Sequence, residues 1–305
     1  MGKTSPIVLF VYNRPDHTQR TIEALKNNIL ASESELFIYS DAPKNDNDKL
    51  NVDQVRQQIE VVTGFKKVTI IKQSTNMGLA KSIIDGVTDI VNRYGKVIVL
   101  EDDLVTSPYF LKFMNDALEF YSNEEKVFHV SGWNYPIHSD GLSDTFLWRT
   151  MNCWGWGTWS DRWQYFEKNT DKLIESFSKS DIKRFNLDGY ENFWGQVISN
   201  KNGKIDTWAI YWYASIFKNN GLCLNPTLTF VNNIGLDGSG EHCGINTSYM
   251  SDLNLNDNIK FEKNYKENSS IINRIQEFHK KNHKSLFFRL LNKISRVLIK
   301  RNLIV

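Results

Sequence analysis

The sequence predicts an α/β fold in which a mostly parallel, Rossmann-like sheet is flanked by helices. Two observations support this prediction: strand-sized apolar runs alternate with segments of helical periodicity, and a short polar cluster follows each run. With 305 residues, the chain can form one large domain with a short appendage.

Four apolar runs have the length and the β-branched or aromatic content of buried parallel strands. They cover residues 7–12, 36–40, 68–71 and 97–100. Helical patterns cover residues 17–27, 51–63 and 80–91, and a fourth helix is expected from about Pro108. The third helix is expected to stop near Gly95. This alternation indicates right-handed βαβ units with parallel strands.

After Tyr121 the pattern is less regular. A strand and turn are expected at residues 127–133, polar helical structure at 171–200, and a helix at 206–217. Residues 232–246 form a glycine-rich polar loop by composition.

Charge and cysteine content narrow the possible functions. The formal net charge is +2, so no overall field favours nucleic acid as a partner. Three widely spaced cysteines (Cys153, Cys223 and Cys243) form no CxxC pair, which favours a reducing cytoplasm over a disulfide framework or a zinc knuckle. The first apolar run is too short for a signal peptide, and no run of about 18 apolar residues predicts a membrane span.

Each predicted strand is followed by a polar cluster. The clusters are Asn13-Arg14, Asp41, Asn76 and Glu101-Asp102-Asp103. Because ligands of open parallel sheets bind at the carboxyl ends of the strands, we expect these clusters to converge on one site. No GxGxxG follows the first strand and no GxxxxGK[ST] is present, so neither dinucleotide oxidoreduction nor P-loop chemistry is expected.

The acidic triplet at residues 101–103 is the most informative of these clusters. Three consecutive carboxylates after an apolar strand are costly to keep together unless a cation binds them. Mn²⁺ or Mg²⁺, which prefer oxygen ligands, would bridge the protein and a diphosphate. The alternatives are a solvated loop and an acidic helix N-terminus, where the macrodipole favours negative charge.

Residues 97–110, VIVLEDDLVTSPYF, resemble the metal-binding segment of N-acetylglucosaminyltransferase I, a glycosyltransferase of the GT-A fold. Bacterial glycosyltransferases that build lipopolysaccharide or capsule glycans are more similar still, and the resemblance covers about residues 6–245. The supporting motifs are VYNRP at 11–15, VSGWN at 130–134, WGWGTW at 154–159, TWxxxW at 207–212, KNNGL at 218–222 and NIG at 233–235.

The resemblance implies an inverting transfer of a sugar from a UDP-sugar to a glycan or lipid-linked acceptor. Asp103 would ligate the metal, Glu101 and Asp102 would support it or contact the ribose, and Arg14 would contact the diphosphate or nucleoside. Asp41 would accept the uracil N–H. Further donor-side contacts are implied for Tyr12, Asn76, Gly78 and His242. For Arg14 and Asp41 the alternative is loop capping, and for His242 it is a solvated loop position.

An inverting transferase needs a carboxylate that takes the proton of the acceptor hydroxyl. Asp206 is the residue that the resemblance favours, with Asp161 and Glu191 as substitutes, although many relatives carry Asp where this chain has Ala209. A helix N-cap is the alternative role for Asp206. Aromatic residues expected on the acceptor side are Trp133, Trp154 and Trp156, where the alternative is a core position.

The last residues form a separate element. Residues 284–301 alternate apolar and basic side chains at helical spacing, which is typical of an amphipathic helix at an anionic membrane surface. A helix packed on the domain is the alternative. We therefore expect a glycosyltransferase domain at 1–250, divided into nucleotide-sugar (1–125) and acceptor (126–250) halves, followed by a connector and membrane-associating tail at 251–305.

The sequence thus predicts a metal-dependent glycosyltransferase on the inner face of the cytoplasmic membrane. Two alternatives stay open at this point. The chain could be a non-catalytic binder of nucleotides or carbohydrates, as Ala209 suggests, or a sugar nucleotidyltransferase that shares the βαβ start.

Overall fold

The computed structural model of the chain describes residues 4–238 and 248–282. Its strands are β1 (Ile7–Val11), β2 (Glu35–Ser40), β3 (Lys67–Lys72), β4 (Lys96–Glu101), β5 (Leu104–Thr106), β6 (Val127–Ser131), β7 (Thr145–Trp148), β8 (Trp156–Trp159), β9 (Leu222–Pro226) and β10 (Val231–Asn233). Its α-helices are α1 (Pro15–Lys26), α2 (Asp46–Glu60), α3 (Leu79–Tyr94), α4 (Phe110–Phe120), α5 (Ser160–Trp163), α6 (Thr170–Ser176), α7 (Lys179–Phe185), α8 (Phe193–Lys201), α9 (Ala209–Lys218) and α10 (Ser269–Asn282).

Eight strands form one sheet in the order β3-β2-β1-β4-β8-β6-β9-β7. The first four are parallel, which confirms the predicted βαβ units. The residues of β1 and β4 are almost all buried because helices cover both faces of the middle of the sheet, whereas the edge strand β3 is only partly buried. Strands β10 and β5 form a separate antiparallel pair beside the end of β4.

Local signals explain where the helices begin and end. Helix α3 ends as predicted, with Gly95 in the left-handed conformation at φ +81°. Helix α2 begins five residues earlier than expected because the side chain of Asn45 accepts from the backbone N–H of Asn47 and caps it. Helix α9 begins three residues later than expected, at Ala209, so Asp206 is not its N-cap.

Most of the WGWGTW motif at 154–159 forms a central strand, β8. Strand β8 is antiparallel to both β4 and β6, and it joins the parallel half of the sheet to the rest. Gly157 makes this insertion possible, because a Cβ there would lie 2.9 Å from the carbonyl oxygen of Val97.

The expected connector packs against the domain. Tyr121 Oη donates to the carbonyl of Glu262 at 2.6 Å, and α10 buries Ile271 and Ile275 completely. The buried guanidinium of Arg149 binds Glu267 at 2.8 Å and Asp188 at 2.6 Å, so it joins the residue just before α10 to the turn at Leu187–Gly189. None of the helices in the described ranges is long and apolar enough to cross a bilayer. The predicted tail helix, residues 284–301, lies outside those ranges.

Candidate active site

A cavity of about 280 Å³ opens at the carboxyl ends of β1, β2 and β4. The cavity is lined by every described residue for which the sequence predicted donor-side contacts: Tyr12, Arg14, Asp41, Asn76, Gly78, Glu101, Asp102 and Asp103. His242 lies outside the described residues. The lining also includes Cys153, Trp154 and residues 206–209. The strand-end rule therefore located this cavity correctly.

The acidic triplet occupies the turn between β4 and β5. The Asp102 side chain is 5% exposed and the Asp103 side chain 13% exposed. The guanidinium of Arg14 donates to both, reaching Asp103 Oδ2 at 3.0 Å. Asp102 also accepts from the backbone N–H of Tyr12 at 3.3 Å. These contacts fix Asp102 most firmly and leave Asp103 the more accessible of the two.

The electrostatics of this turn are unbalanced, because three carboxylates face one guanidinium. Burial raises the pKa of Glu101 to about 8, and the charges of Asp103 and Asp102 add to this while Arg14 opposes it. Burial also raises the pKa of Asp102, although Arg14 acts in the opposite direction. For Arg14, burial lowers the pKa, but the two aspartates outweigh burial and the net pKa is raised. A further cation would relieve the repulsion.

The ligand atoms of the acidic triplet are of the type that a hard divalent cation prefers, but there are too few of them to complete its coordination. All three side chains offer carboxylate oxygens, which Mg²⁺ and Mn²⁺ prefer. Among the described residues, no group of three or more His, Cys, Asp or Glu side chains is arranged to hold a metal ion. A cation here would take its remaining ligands from substrate phosphates and water, as Mg²⁺ often does.

Asp41 organises the loop that leads into α3. One carboxylate oxygen accepts from the backbone N–H groups of Ala42 and Met77, both at 2.8 Å. The other accepts from Gly78 N at 2.9 Å and from Asn76 Nδ2 at 3.1 Å. The four hydrogen bonds use the acceptor capacity of the carboxylate. A nucleobase N–H could therefore bind Asp41 only by replacing one of these donors.

Tyr12 holds the loop after β2 at the cavity edge. Its hydroxyl donates to Asp48 at 2.9 Å and accepts from the backbone N–H of Lys44 at 2.9 Å. Asn13 donates to the same Asp48 carboxylate at 2.8 Å. Burial raises the pKa of Tyr12 to about 12, so this hydroxyl stays protonated at neutral pH.

Asp206 lines the same cavity as the acidic triplet. Its side chain is 73% exposed and forms an ion pair with Lys168. Asn200 holds the adjacent Thr207 by two hydrogen bonds, of 3.0 Å and 3.1 Å, so the backbone at this edge is fixed while the carboxylate faces solvent. The substitutes for Asp206 are outside the cavity lining: Asp161 pairs with Arg162, and Glu191 pairs with His279.

The three tryptophans expected on the acceptor side have different positions. Trp154 lines the cavity. Trp133 is 3% exposed and packs edge-on against Trp154 with ring centroids 4.5 Å apart. Trp156 is fully buried, stacked 5.0 Å from Trp208 and 5.3 Å from His129. Trp133 and Trp156 thus support the wall from behind, because the pleat of β8 and the turn after β6 direct them into the core.

Sequence reasoning missed several lining residues, among them Lys44, Thr207, Trp208 and Asn233. Lys44 comes three residues after Asp41, so the strand-end rule could have included it. Asn233 reaches the cavity through the pairing of β10 with β5, a contact between distant segments that periodicity does not reveal.

Residues 7–178, more than half of the chain, match the family described as Glycosyl transferase family 2. No curated protein matches the chain in a sequence search. Among solved structures, S. aureus TarS is similar at 14% identity and TM-score 0.32, over 46% of this chain but 24% of the TarS chain. The mannosyltransferase PcManGT from Pyrobaculum calidifontis, in complex with GDP-Man and Mn²⁺, is similar at 10% identity and TM-score 0.40, over 72% of this chain and 70% of that chain.

Proposed function

The chain belongs to glycosyltransferase family 2, and we propose that it transfers a hexosyl or N-acetylhexosaminyl group from a UDP-sugar to a cell-surface glycan or lipid-linked oligosaccharide, with inversion. The observation that carries the proposal is that one cavity is lined by the acidic triplet, by Arg14 and by Asp206. The resemblance of the sequence to N-acetylglucosaminyltransferase I and to lipopolysaccharide or capsule enzymes suggests the classes of sugar donor and acceptor.

Asp103 is the residue that we propose as the metal ligand. It is more exposed than Asp102, which Arg14 and the Tyr12 amide already hold. Bound Mn²⁺ or Mg²⁺ would neutralise charge on the departing diphosphate. Arg14 would contribute to the same end, because a guanidinium matches phosphate oxygens in charge and geometry.

The nucleoside would bind between the loops after β1 and β2 and the start of α3. Gly78 has nothing within 4 Å of its missing Cβ and adopts φ +75°, so its backbone can approach a ligand closely. Asp41 and Asn76 would shape this pocket through the loop they hold, and a uracil N–H would compete with one of their hydrogen bonds. Tyr12 would keep the loop after β2 in place.

Asp206 is the general base that we propose. Its carboxylate would take the proton from an acceptor hydroxyl while that oxygen bonds to the anomeric carbon and the bond to the nucleotide diphosphate breaks. The Asp206 side chain is exposed, so an acceptor can reach it, and the ion pair between Asp206 and Lys168 would have to be shared with the acceptor or broken. Trp154, which lines the same cavity, would stack against an acceptor sugar.

The roles proposed for residues 284–301 and for His242 rest on the sequence alone, because these residues lie outside the described ranges. We propose that the basic and apolar side chains of residues 284–301 bind the enzyme to an anionic membrane surface that holds the acceptor. Full-length protein should sediment with vesicles containing phosphatidylglycerol, and a variant with Arg296→Glu and Lys300→Glu should sediment less. Equal sedimentation of both proteins would contradict this part of the proposal.

The test of the chemistry is nucleotide release from UDP-, GDP- and dTDP-sugars, with Mn²⁺ and with a chelator. We expect slow, chelator-sensitive release of UDP, lost in Asp103→Asn and strongly reduced in Asp206→Asn when an acceptor is present. Asp171→Asn is the matched control, because the Asp171 side chain is 75% exposed and pairs with Lys201 outside the cavity.

The same assay separates the alternatives. Release of pyrophosphate would identify a sugar nucleotidyltransferase. Binding of UDP with no transfer and no donor hydrolysis would identify a non-catalytic binder, which Ala209 at the cavity wall suggests. Metal-independent turnover that survives Asp103→Asn would contradict the proposed role of the triplet.

A further inference from the structure

Gly235 lies directly against Asp103 of the acidic triplet and against Arg14. It follows β10, whose last residue, Asn233, pairs with Leu104 of β5. The backbone N–H of Ile234 donates to the carbonyl of Asp103 at 2.8 Å, and Gly235 N donates to the buried Asn233 side chain at 2.7 Å. Gly235 therefore cannot move without breaking these bonds.

No side chain fits at Gly235 in this arrangement. An added Cβ would overlap Asp103 Oδ2, and it would lie 2.8 Å from Arg14 Nη1 and 3.0 Å from Asp103 Cβ. The Arg14 guanidinium could yield, because it ends a flexible side chain. The overlap with Asp103 Oδ2 could be relieved by a different Asp103 rotamer, but Asp103 Cβ is fixed by the backbone of the turn, so its contact could be relieved only by a shift of the strand end.

Other glycines at this site do not share the constraint. Gly78 also lines the cavity, but its missing Cβ meets nothing within 4 Å, so its requirement comes from a positive φ. Gly235 has no such φ. The reason for a glycine at position 235 is therefore contact with Asp103 and Arg14 and not backbone conformation.

We propose that Gly235 is a positioning residue that sets the direction of the Asp103 carboxylate and allows Arg14 to bridge Asp102 and Asp103. This inference rests on the proposed function in one respect, the binding of a metal–diphosphate by Asp103. A methyl group at position 235 would turn the carboxylate away from its contact with Arg14. Residue 235 would then control the cation-dependent affinity for the nucleotide-sugar without contacting the sugar.

The test is UDP binding by titration calorimetry, with Mn²⁺ and with a chelator, for wild type and Gly235→Ala. Because replacing a residue that orients a metal ligand often costs about 10–100-fold in metal affinity, we expect a loss of that size in the Mn²⁺-dependent affinity for UDP. Binding in chelator should change much less. Gly195→Ala is the control, because its Cβ would meet only the Asn192 side chain, outside the cavity.

The variant Asp103→Ala separates the possible failures. If it binds UDP with undiminished Mn²⁺ dependence, the proposed function is wrong. If it loses that dependence while Gly235→Ala keeps it, the inference about Gly235 is wrong. In the double variant, Gly235→Ala should add little to the loss caused by Asp103→Ala, because the group it displaces is already absent.

The double variant also covers the case in which Gly235→Ala does not fold. When residue 103 is alanine the overlap with Oδ2 disappears and only the contacts with Cβ of residue 103 and with the flexible end of Arg14 remain, so the double variant should fold and should unfold at a higher temperature than Gly235→Ala alone. Failure of both proteins to fold would show that Gly235 is needed for a different contact and would overturn the proposal.

Discussion

His129 lies in the middle of β6 with no exposed surface. Its Nδ1 accepts from the Trp212 indole at 3.2 Å, and its Nε2 faces the carbonyl of Asn152 at 3.0 Å. This pairing suits neutral imidazole with the proton on Nε2, since a second proton on Nδ1 would oppose the indole N–H. Burial accordingly lowers the pKa of His129 from 6.5 to about 3.

The lowered pKa makes folding stability depend on pH. Below its unfolded pKa the unfolded chain binds a proton that the folded chain does not, so this contribution to stability is complete above about pH 6.5 and is lost as the pH falls towards 3. From the pKa difference, the loss is about 2 kcal/mol at pH 5 and about 4 kcal/mol near pH 3.

The measurement is the free energy of unfolding by urea between pH 5 and pH 7.5, for wild type and His129→Gln. Glu101 has the opposite sign, because its raised pKa makes folding less favourable as pH rises from 4.5 to about 8. The difference between the two proteins removes that contribution. His138→Gln, at a side chain that is 72% exposed, is the control.

The stability advantage of wild type over His129→Gln should shrink by about 2 kcal/mol from pH 7.5 to pH 5. The control difference should stay level. A level difference for His129→Gln as well would refute the reasoning, because it would mean that His129 is protonated without cost inside the fold.

Three further substitutions test the packing around the site by urea unfolding. Asp41→Asn replaces an acceptor of four hydrogen bonds with a group that must also donate, so we expect a loss of about 2–3 kcal/mol and weaker UDP binding by calorimetry. Gly95→Ala should cost about 1 kcal/mol, because φ is +81° while the space around it is open, and UDP binding should not change. Arg149→Met should cost about 2 kcal/mol, less than for a fully buried pair, because its partners Glu267 and Asp188 are 26% and 46% exposed. If any of these variants lost less than about 0.5 kcal/mol of unfolding free energy, the stabilising role described for that residue would be wrong.

The first half of the fold could be predicted because its signals are local. Each of β1 to β4 contains a short, mainly apolar run, and helices such as α3 carry both a periodic apolar face and a terminal glycine. The strand-end rule then predicted that the polar clusters, including Arg14 and the triplet, meet at one cavity, without any knowledge of contacts between distant segments.

The second half could not be predicted in the same way, because its pairings are distant in sequence. Nothing in residues 156–159 shows that they insert between β4 and β6, and a glycine between aromatic residues is equally typical of a turn. The sequence also does not show whether a polar side chain finds hydrogen-bond partners in the fold. Asp41 and Asp206 are both single aspartates after short motifs, yet the first has four hydrogen bonds and the second faces solvent.

Strand β8 has a consequence for how such an enzyme can diversify. On one side, Trp156 pairs in register with Val99, two residues before the triplet begins. On the other, its ring stacks on Trp208, two residues after Asp206. A fully buried indole and one strand spacing thus connect β4, which leads into the triplet, with the segment that carries Asp206, and close packing holds this connection nearly constant. Under the proposed function, new acceptor specificities would therefore arise from changes in the surrounding loops, while the distance between the triplet and Asp206 would be inherited unchanged.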